Sequence, residues 1–147
     1  MEDAGLAGRL REAIRLLVRR TGVLQKAEAS CCGITLAQCH ALIEIGRSGE
    51  LSLNDLAGRL NLDKSTASRT VEGLASCGLV EREINPENRR SVAIRLTGKG
   101  MASCRAIEEK MDSYFGKVLG AIPADKRQQV VESLEMLLKV LEDEKCC

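Results

Sequence analysis

Seven of the 147 residues are cysteines, and their placement is uneven. Cys31 and Cys32 are adjacent, Cys39 follows after a short turn and about one helical turn, and Cys146 and Cys147 form a second adjacent pair. Thiolates are soft ligands suited to zinc, Cu(I) and similar ions. A pyramidal As(III) or Sb(III) centre accepts three thiolates, and close thiol pairs favour it by proximity. Cys31, Cys32 and Cys39, with no obvious fourth ligand or carboxylate cluster, suit such a three-coordinate centre better than tetrahedral zinc. Cys146 and Cys147 could complete the site if the last helix returns to it, in the same chain or from a second copy. Oxidant sensing is the nearest rival. It needs a thiol of lowered pKa and a nearby base or tyrosine; Tyr114 is the only tyrosine, and Arg20 and Lys26 are the nearest cations in sequence. Cys77 and Cys104 sit among apolar residues at helical spacing and read as small hydrophobes in packing. His40, the only histidine, lies on a helix beside apolar residues, which points to packing or exposure rather than ligation.

A second set of residues suits nucleic acid. Lys64, Ser65, Thr66, Ser68 and Arg69 lie together, and Asn88, Arg89 and Arg90 follow in a turn. Serine, threonine and arginine bind base edges and phosphates, and an arginine can pair bidentately with guanine.

The elements that must position these residues lie between Leu51 and Gly100. Leu53, Leu56, Ala57 and Leu60 repeat at helical spacing, and Asn61-Leu62 breaks the run. Asp63 or Ser65 then caps a second helix with Val71, Leu74 and Ala75 on one face. That helix stops at Cys77-Gly78, where glycine suits a left-handed position. Residues 79–84 and 91–96 read as short strands around the turn-rich Asn85-Pro86-Glu87-Asn88. Two helices closed by a two-stranded hairpin make a winged helix-turn-helix, mainly α in class with a small β component.

Composition limits the alternatives. Tyr114 and Phe115 are the only aromatics, so the core must be aliphatic. The formal net charge is +1, so nucleic-acid affinity would rest on local clusters such as Arg89-Arg90. From Arg47 to Lys99 nine Lys/Arg stand against seven Asp/Glu; from Gly100 to Cys147 the numbers reverse to seven and nine. No apolar run approaches the ~20 residues of a membrane span, and the N-terminus has no signal-peptide pattern. No membrane association and a cytoplasmic location are expected, which disfavours a disulfide framework. No Gly-rich phosphate loop, Cys-x-x-Cys motif or recognisable carboxylate pair is present, so an enzyme is not expected.

Helices flank the reading element. Leu6, Leu10, Ala13, Ile14, Leu17, Val18 and Leu24 make a stripe over residues 2–29, and a turn over 30–35 is expected to break it before Thr35 caps the next helix. Thr97 is expected to cap a helix to about Leu119 with Met101, Cys104, Ile107 and Met111 on one face. After Pro123, Val130, Leu134, Leu137 and Leu141 form a short heptad-like seam. These stripes predict a dimerisation region over residues 1–34 and 101–147, with residues 35–100 as the winged helix-turn-helix DNA-binding domain.

In this order of elements the chain resembles the MarR family of bacterial transcription regulators over nearly its whole length. The residues that carry the resemblance are Leu53-Asn54-Asp55-Leu56-Ala57, Lys64-Ser65-Thr66-Ala67-Ser68-Arg69 after Asp63, Gly78-Leu79-Val80-Glu81-Arg82, and Arg89-Arg90 leading to Leu96-Thr97-Gly98-Lys99-Gly100. The resemblance implies a homodimer on a pseudo-palindromic double-stranded operator. Lys64, Ser65, Thr66, Ser68 and Arg69 would then enter the major groove, and the wing turn would reach the minor groove. Family members carry Asp-Arg-Arg at the wing tip; Asn88-Arg89-Arg90 stands here, without the carboxylate. The expectation is a repressor released when a thiophilic ion, arsenite foremost, binds Cys31, Cys32 and Cys39. An oxidant-sensing repressor, a repressor for an organic ligand, and a metal-binding scaffold without DNA affinity are the alternatives. No resident cofactor is expected.

Overall fold

The computed structural model describes residues 2–88 and 91–144, with backbone alone at residues 2 and 22–32. Its elements run α1 (Glu2–Cys32), α2 (Leu36–Ser48), β1 (Glu50–Ser52), α3 (Leu53–Leu60), α4 (Lys64–Ser76), β2 (Val80–Ile84), β3 (Val92–Leu96), α5 (Gly98–Ala121), a 3-10 turn (Ala124–Lys126) and α6 (Arg127–Asp143). Helices with a small sheet match the expected class. The chain forms two compact units, residues 1–107 and 108–147.

In the first unit the capping rules act as the sequence reads. Thr35 starts α2 with a full capping box, in which its hydroxyl accepts from Gln38 N and Gln38 Oε1 accepts from Thr35 N. Ser52 caps α3 by accepting from Asp55 N, and Asn61 ends it in the left-handed region at φ 53°. Asp63 caps α4, and Gly78 follows at φ +75°. The stripe Leu56, Ala67, Val71, Leu74 closes against Ala41, Leu42 and Ile45 of α2, with Ile94 and Ile107 completing an all-aliphatic core. Burying one such side chain stabilises by roughly 1.5–3 kcal/mol.

Three expectations are corrected. The first helix does not break at Ser30: α1 continues through Cys32 and the chain turns at Gly33, φ +71°. Serine and cysteine lower helix propensity without ending a helix, whereas glycine enters the left-handed region without penalty. The sheet has three strands in the order β1-β3-β2, all antiparallel, because Glu50–Ser52 pairs with Ala93–Arg95. Met101 is exposed, although Cys104 and Ile107 of the same expected face are buried.

The start of α5 is tied to the end of α4. Thr97 Oγ1 donates to Gly78 O at 2.6 Å and accepts from Gly100 N at 3.0 Å. Thr97 N donates to Leu79 O at 3.0 Å, and Lys99 Nζ to Cys77 O at 2.9 Å. In the second unit Arg127 closes the turn after α5. Its Nε lies 3.0 Å from Leu119 O and 2.9 Å from Ile122 O, and its Nη2 is 3.1 Å from Gly120 O. These carbonyls lie at and just after the end of α5, where the regular helix ladder runs out; Leu119 O also accepts from Ile122 N at 3.0 Å. Pro123 precedes the 3-10 turn, so α6 starts a little later than the proline alone suggests. Among the described residues, no helix is long and apolar enough to cross a membrane.

Candidate nucleic-acid interface and cysteine corner

The burial of α4 sorts its residues into two faces. Ala67, Thr70, Val71 and Leu74 are buried; Lys64, Ser65, Ser68 and Arg69 are exposed, with Thr66 between the two sets. Residues 64, 65, 68 and 69 recur at helical spacing, so one turn and a half of polar surface faces outward from the N-terminal half of the helix.

The cap of α4 also organises that surface. Asp63 Oδ1 accepts from Thr66 N at 2.8 Å, and Oδ2 from Thr66 Oγ1 at 2.8 Å. Arg69 Nη2 donates to the same hydroxyl oxygen at 3.3 Å. The bond from the Thr66 backbone, then that from its hydroxyl, with the Arg69 charge adding to both, hold the Asp63 carboxyl below its ordinary value. Asp63 therefore remains a carboxylate at neutral pH while Thr66 links it to the arginine. Sequence reasoning finds Asp63 as a cap but not as the far end of this relay. The signal was there in the i, i+3, i+6 spacing of Asp63, Thr66 and Arg69.

Beside α4, the hairpin of β2 and β3 is braced by Arg95, which pairs with Glu83 on β2 and approaches Glu50 on β1 at 4.0 Å. Its turn is built from local bonds. Asn85 N donates to Ser91 O at 3.0 Å, Ser91 N to Asn88 O at 2.9 Å, and Glu87 N to Asn85 Oδ1 at 3.0 Å. Asn88 lines a cleft of about 300 Å³ with Lys64, Ser52, Asn54 and Ser91, between the starts of α3 and α4 and the turn of the hairpin. The structure thus brings Lys64 and Asn88 together. Arg89 and Arg90 lie outside the described residues.

The cysteines fall elsewhere. Cys31 and Cys32 are on the last turn of α1, and Cys39 is on the first turn of α2, with Gly33, Ile34 and Thr35 between the helices. Cys39 is 3% exposed, set in the same buried face as Leu42. The side chains of Cys31 and Cys32, and residues 146–147, lie outside what is described. Among the described residues, no three His, Cys, Asp or Glu side chains are placed to hold a metal. Cys104 is buried, as its packing role requires, whereas Cys77 is exposed at the end of α4 rather than packed. His40 is exposed and lines a cavity of about 400 Å³ between α2 and α3 with Leu36, Glu44, Arg59 and Leu62. Arg59 is held there by Ser48 Oγ at 2.7 Å and Glu44 at 3.6 Å.

Comparison with known proteins agrees with this geometry. The MarR family model matches residues 34–92. The regulator YdgJ of Bacillus subtilis is 27% identical over 105 residues, covering 71% of this chain and 64% of its own length. The regulator BilQ of Clostridium symbiosum is 28% identical over 121 residues, 82% of this chain and 84% of its own. Among solved structures, Streptococcus pneumoniae FabT in complex with DNA superposes with a TM-score of 0.80 at 21% identity, covering 95% of this chain and 99% of FabT. At that identity the last comparison bears on the fold alone. The described face of α4, the hairpin beside it and these likenesses together lead to one assignment: residues 34–92 of this chain form a MarR-family domain, of the DNA-binding, winged helix-turn-helix transcriptional-regulator type.

Proposed function

We propose that the chain acts in the cytoplasm as a homodimeric repressor that reads a pseudo-palindromic operator through α4. The observation that carries this reading is the two-faced α4, with Lys64, Ser65, Ser68 and Arg69 outward over a buried Ala67, Val71 and Leu74. Ser65, Ser68 and Arg69 offer hydrogen bonds to base edges, Lys64 offers charge to a phosphate, and Asp63 with Thr66 presets the guanidinium. Asn88, which shares a cleft with Lys64, would bring the wing turn to the duplex, with Arg89 and Arg90 next in the chain. Dimerisation is supported by the apolar residues that one chain leaves uncovered: Leu6, Leu10, Leu17 and Val18 on α1, and Leu134, Leu138 and Leu141 on α6. Two copies would set two α4 helices about 34–36 Å apart, one duplex turn.

The inducer we propose is a thiophilic metalloid, As(III) or Sb(III), held by Cys31, Cys32 and Cys39. Support comes from the donor set and from its place on consecutive helical turns at the α1–α2 corner. Because Cys39 is buried, its capture would draw the first turn of α2 away from the core and disturb the reading unit. Cys146 and Cys147 are candidate further ligands. A small organic inducer is the second reading, favoured by the cavity of about 400 Å³ between α2 and α3, within the usual range of ligand pockets of roughly 300–1,000 Å³.

The test is fluorescence anisotropy of reduced protein on a labelled duplex from the region upstream of its own gene. Arsenite is titrated without competing dithiols, and peroxide is run in parallel. Release by arsenite in the wild type, lost in Cys31→Ser and Cys39→Ser, supports the thiol site. Equal release in wild type and variants sinks it, and release by neither arsenite nor peroxide moves attention to the α2–α3 cavity.

A further inference from the structure

Gln38, beside Cys39, has two engagements on two elements. Its Oε1 accepts from Thr35 N at 2.9 Å, closing the capping box of α2. Its Nε2 meets α4, because a Cβ built on Gly73 would stand 2.3 Å from that nitrogen and 3.5 Å from Gln38 Cδ. The amide therefore rests against α4 at Gly73, in the space that a Cβ there would take from it. The other end of α2 is equally close to its neighbours: a Cβ on Gly46 would lie 2.8 Å from Cys104 Sγ and 3.2 Å from Leu96 Cδ1. Between these ends Leu42 and Ile45 are fully buried. A close-packed helix fixed in this way moves as a body and does not absorb displacement by bending.

We propose that Gln38 is a positioning residue for DNA reading. It acts as a strut that carries the position of the α1–α2 corner to Gly73 and so sets the pitch at which α4 presents Ser65, Ser68 and Arg69. The proposal rests on α4 being the DNA-reading helix. It does not depend on which inducer acts. A shift of the first turn of α2, through Cys39 or through Thr35, reaches α4 through this amide as well as through the packed Leu42 and Ile45. The strut is the steric seat on Gly73; the bond that Oε1 accepts from Thr35 N is the separate cap of α2.

The experiment uses the full chain and four variants, Gln38→Ala, Gln38→Met, Gly73→Ala and the double variant Gln38→Ala with Gly73→Ala. Anisotropy on the labelled upstream duplex is paired with hydrogen exchange across Lys64–Ser76. Gln38→Ala is expected to weaken duplex binding by about tenfold, the effect of ~1.4 kcal/mol, and to speed exchange in the peptide containing Gly73. Gln38→Met fills the same seat without accepting from Thr35 N, and should stay within about threefold of wild type, a shift of less than ~1 kcal/mol. Gly73→Ala should displace the amide and weaken binding like Gln38→Ala, although alanine favours the helix itself. The double variant should then be no worse than either single one, since both remove one contact. Equal defects in Gln38→Ala and Gln38→Met, with faster exchange confined to the first turn of α2, would reduce Gln38 to a helix cap and overturn the strut. If the wild type ignores the duplex, the reading of α4 fails separately. The exchange measurement still decides the strut, which faster Gly73 exchange in Gln38→Ala supports and unchanged exchange refutes.

Discussion

Gly100 offers the sharpest stability prediction, because its environment is backbone. A Cβ there would lie 1.9 Å from Leu79 O and 2.9 Å from Leu79 C, and neither atom can swing aside as a side-chain end could. To restore ordinary contact the first turn of α5 must retreat from Leu79 by more than about 1 Å, a disruption at the upper end of the ~1–3 kcal/mol typical of overpacking. The same retreat strains the bond from Thr97 N to Leu79 O, worth about 1 kcal/mol. Alanine's helix propensity returns up to ~1 kcal/mol. The net for Gly100→Ala is about 3 kcal/mol of destabilisation. With an unfolding entropy of about 2.1 cal/mol/K per residue, 147 residues give ~0.3 kcal/mol/K, so Tm should fall by about 10 °C. Gly58→Ala is the matched control. That glycine is exposed on α3 with nothing within 4 Å of its Cβ, and the change should raise Tm by about 3 °C. Differential scanning calorimetry on the two variants measures both. A Gly100→Ala protein melting within about 2 °C of wild type would refute the close approach of α5 to Leu79.

Further predictions rest on other contacts. The Asp63 carboxyl is held below its ordinary value of 3.8. Its contribution to stability is therefore present above that value and lost as pH falls through the lowered folded-state value. An acid titration of unfolding should show this loss in the wild type, and a smaller one in Asp63→Asn, which keeps a cap but has no carboxylate. Arg127→Ala removes a side-chain donor from the Leu119, Gly120 and Ile122 carbonyls, and amide exchange over residues 119–130 should rise by about tenfold, the effect of roughly 1–1.5 kcal/mol. Leu134→Glu together with Leu141→Glu places charge on an uncovered apolar face of α6 and should convert the proposed dimer to monomer in sedimentation. An unchanged dimer would remove α6 from the interface.

The parts of the molecule that obey short-range rules were legible in the chain. Asp63, Gly78 and the stripe Val71, Leu74 define α4 with information from within about one helix length, and Thr97 marks the start of α5 for the same reason. What escaped depends on partners distant in sequence. Glu50-Leu51-Ser52 has too few residues to show a period and becomes a strand only because Ala93–Arg95 lies beside it. The end of α1 was misplaced because two cysteines after Ser30 look like a break, while the physical break is the glycine that follows. Of the site, the outward face of α4 follows from spacing alone. The Asp63–Thr66–Arg69 relay needed rotamers, and the seat of Gln38 on Gly73 needed two helices brought together across 35 positions of sequence.

The central claim is that α4 reads DNA, and the most direct test is the salt dependence of anisotropy for wild type, Lys64→Ala and Arg69→Ala. Each would be measured on the upstream duplex and on a mixed-sequence duplex of equal length. The account predicts that wild type prefers the upstream duplex. Arg69→Ala should lose about 1–3 kcal/mol of that preference, roughly five- to 150-fold. Lys64→Ala should weaken both duplexes alike and lower the salt slope by about one. Binding of both duplexes that is indifferent to Arg69, Lys64 and salt would contradict the claim and leave the winged domain as a scaffold.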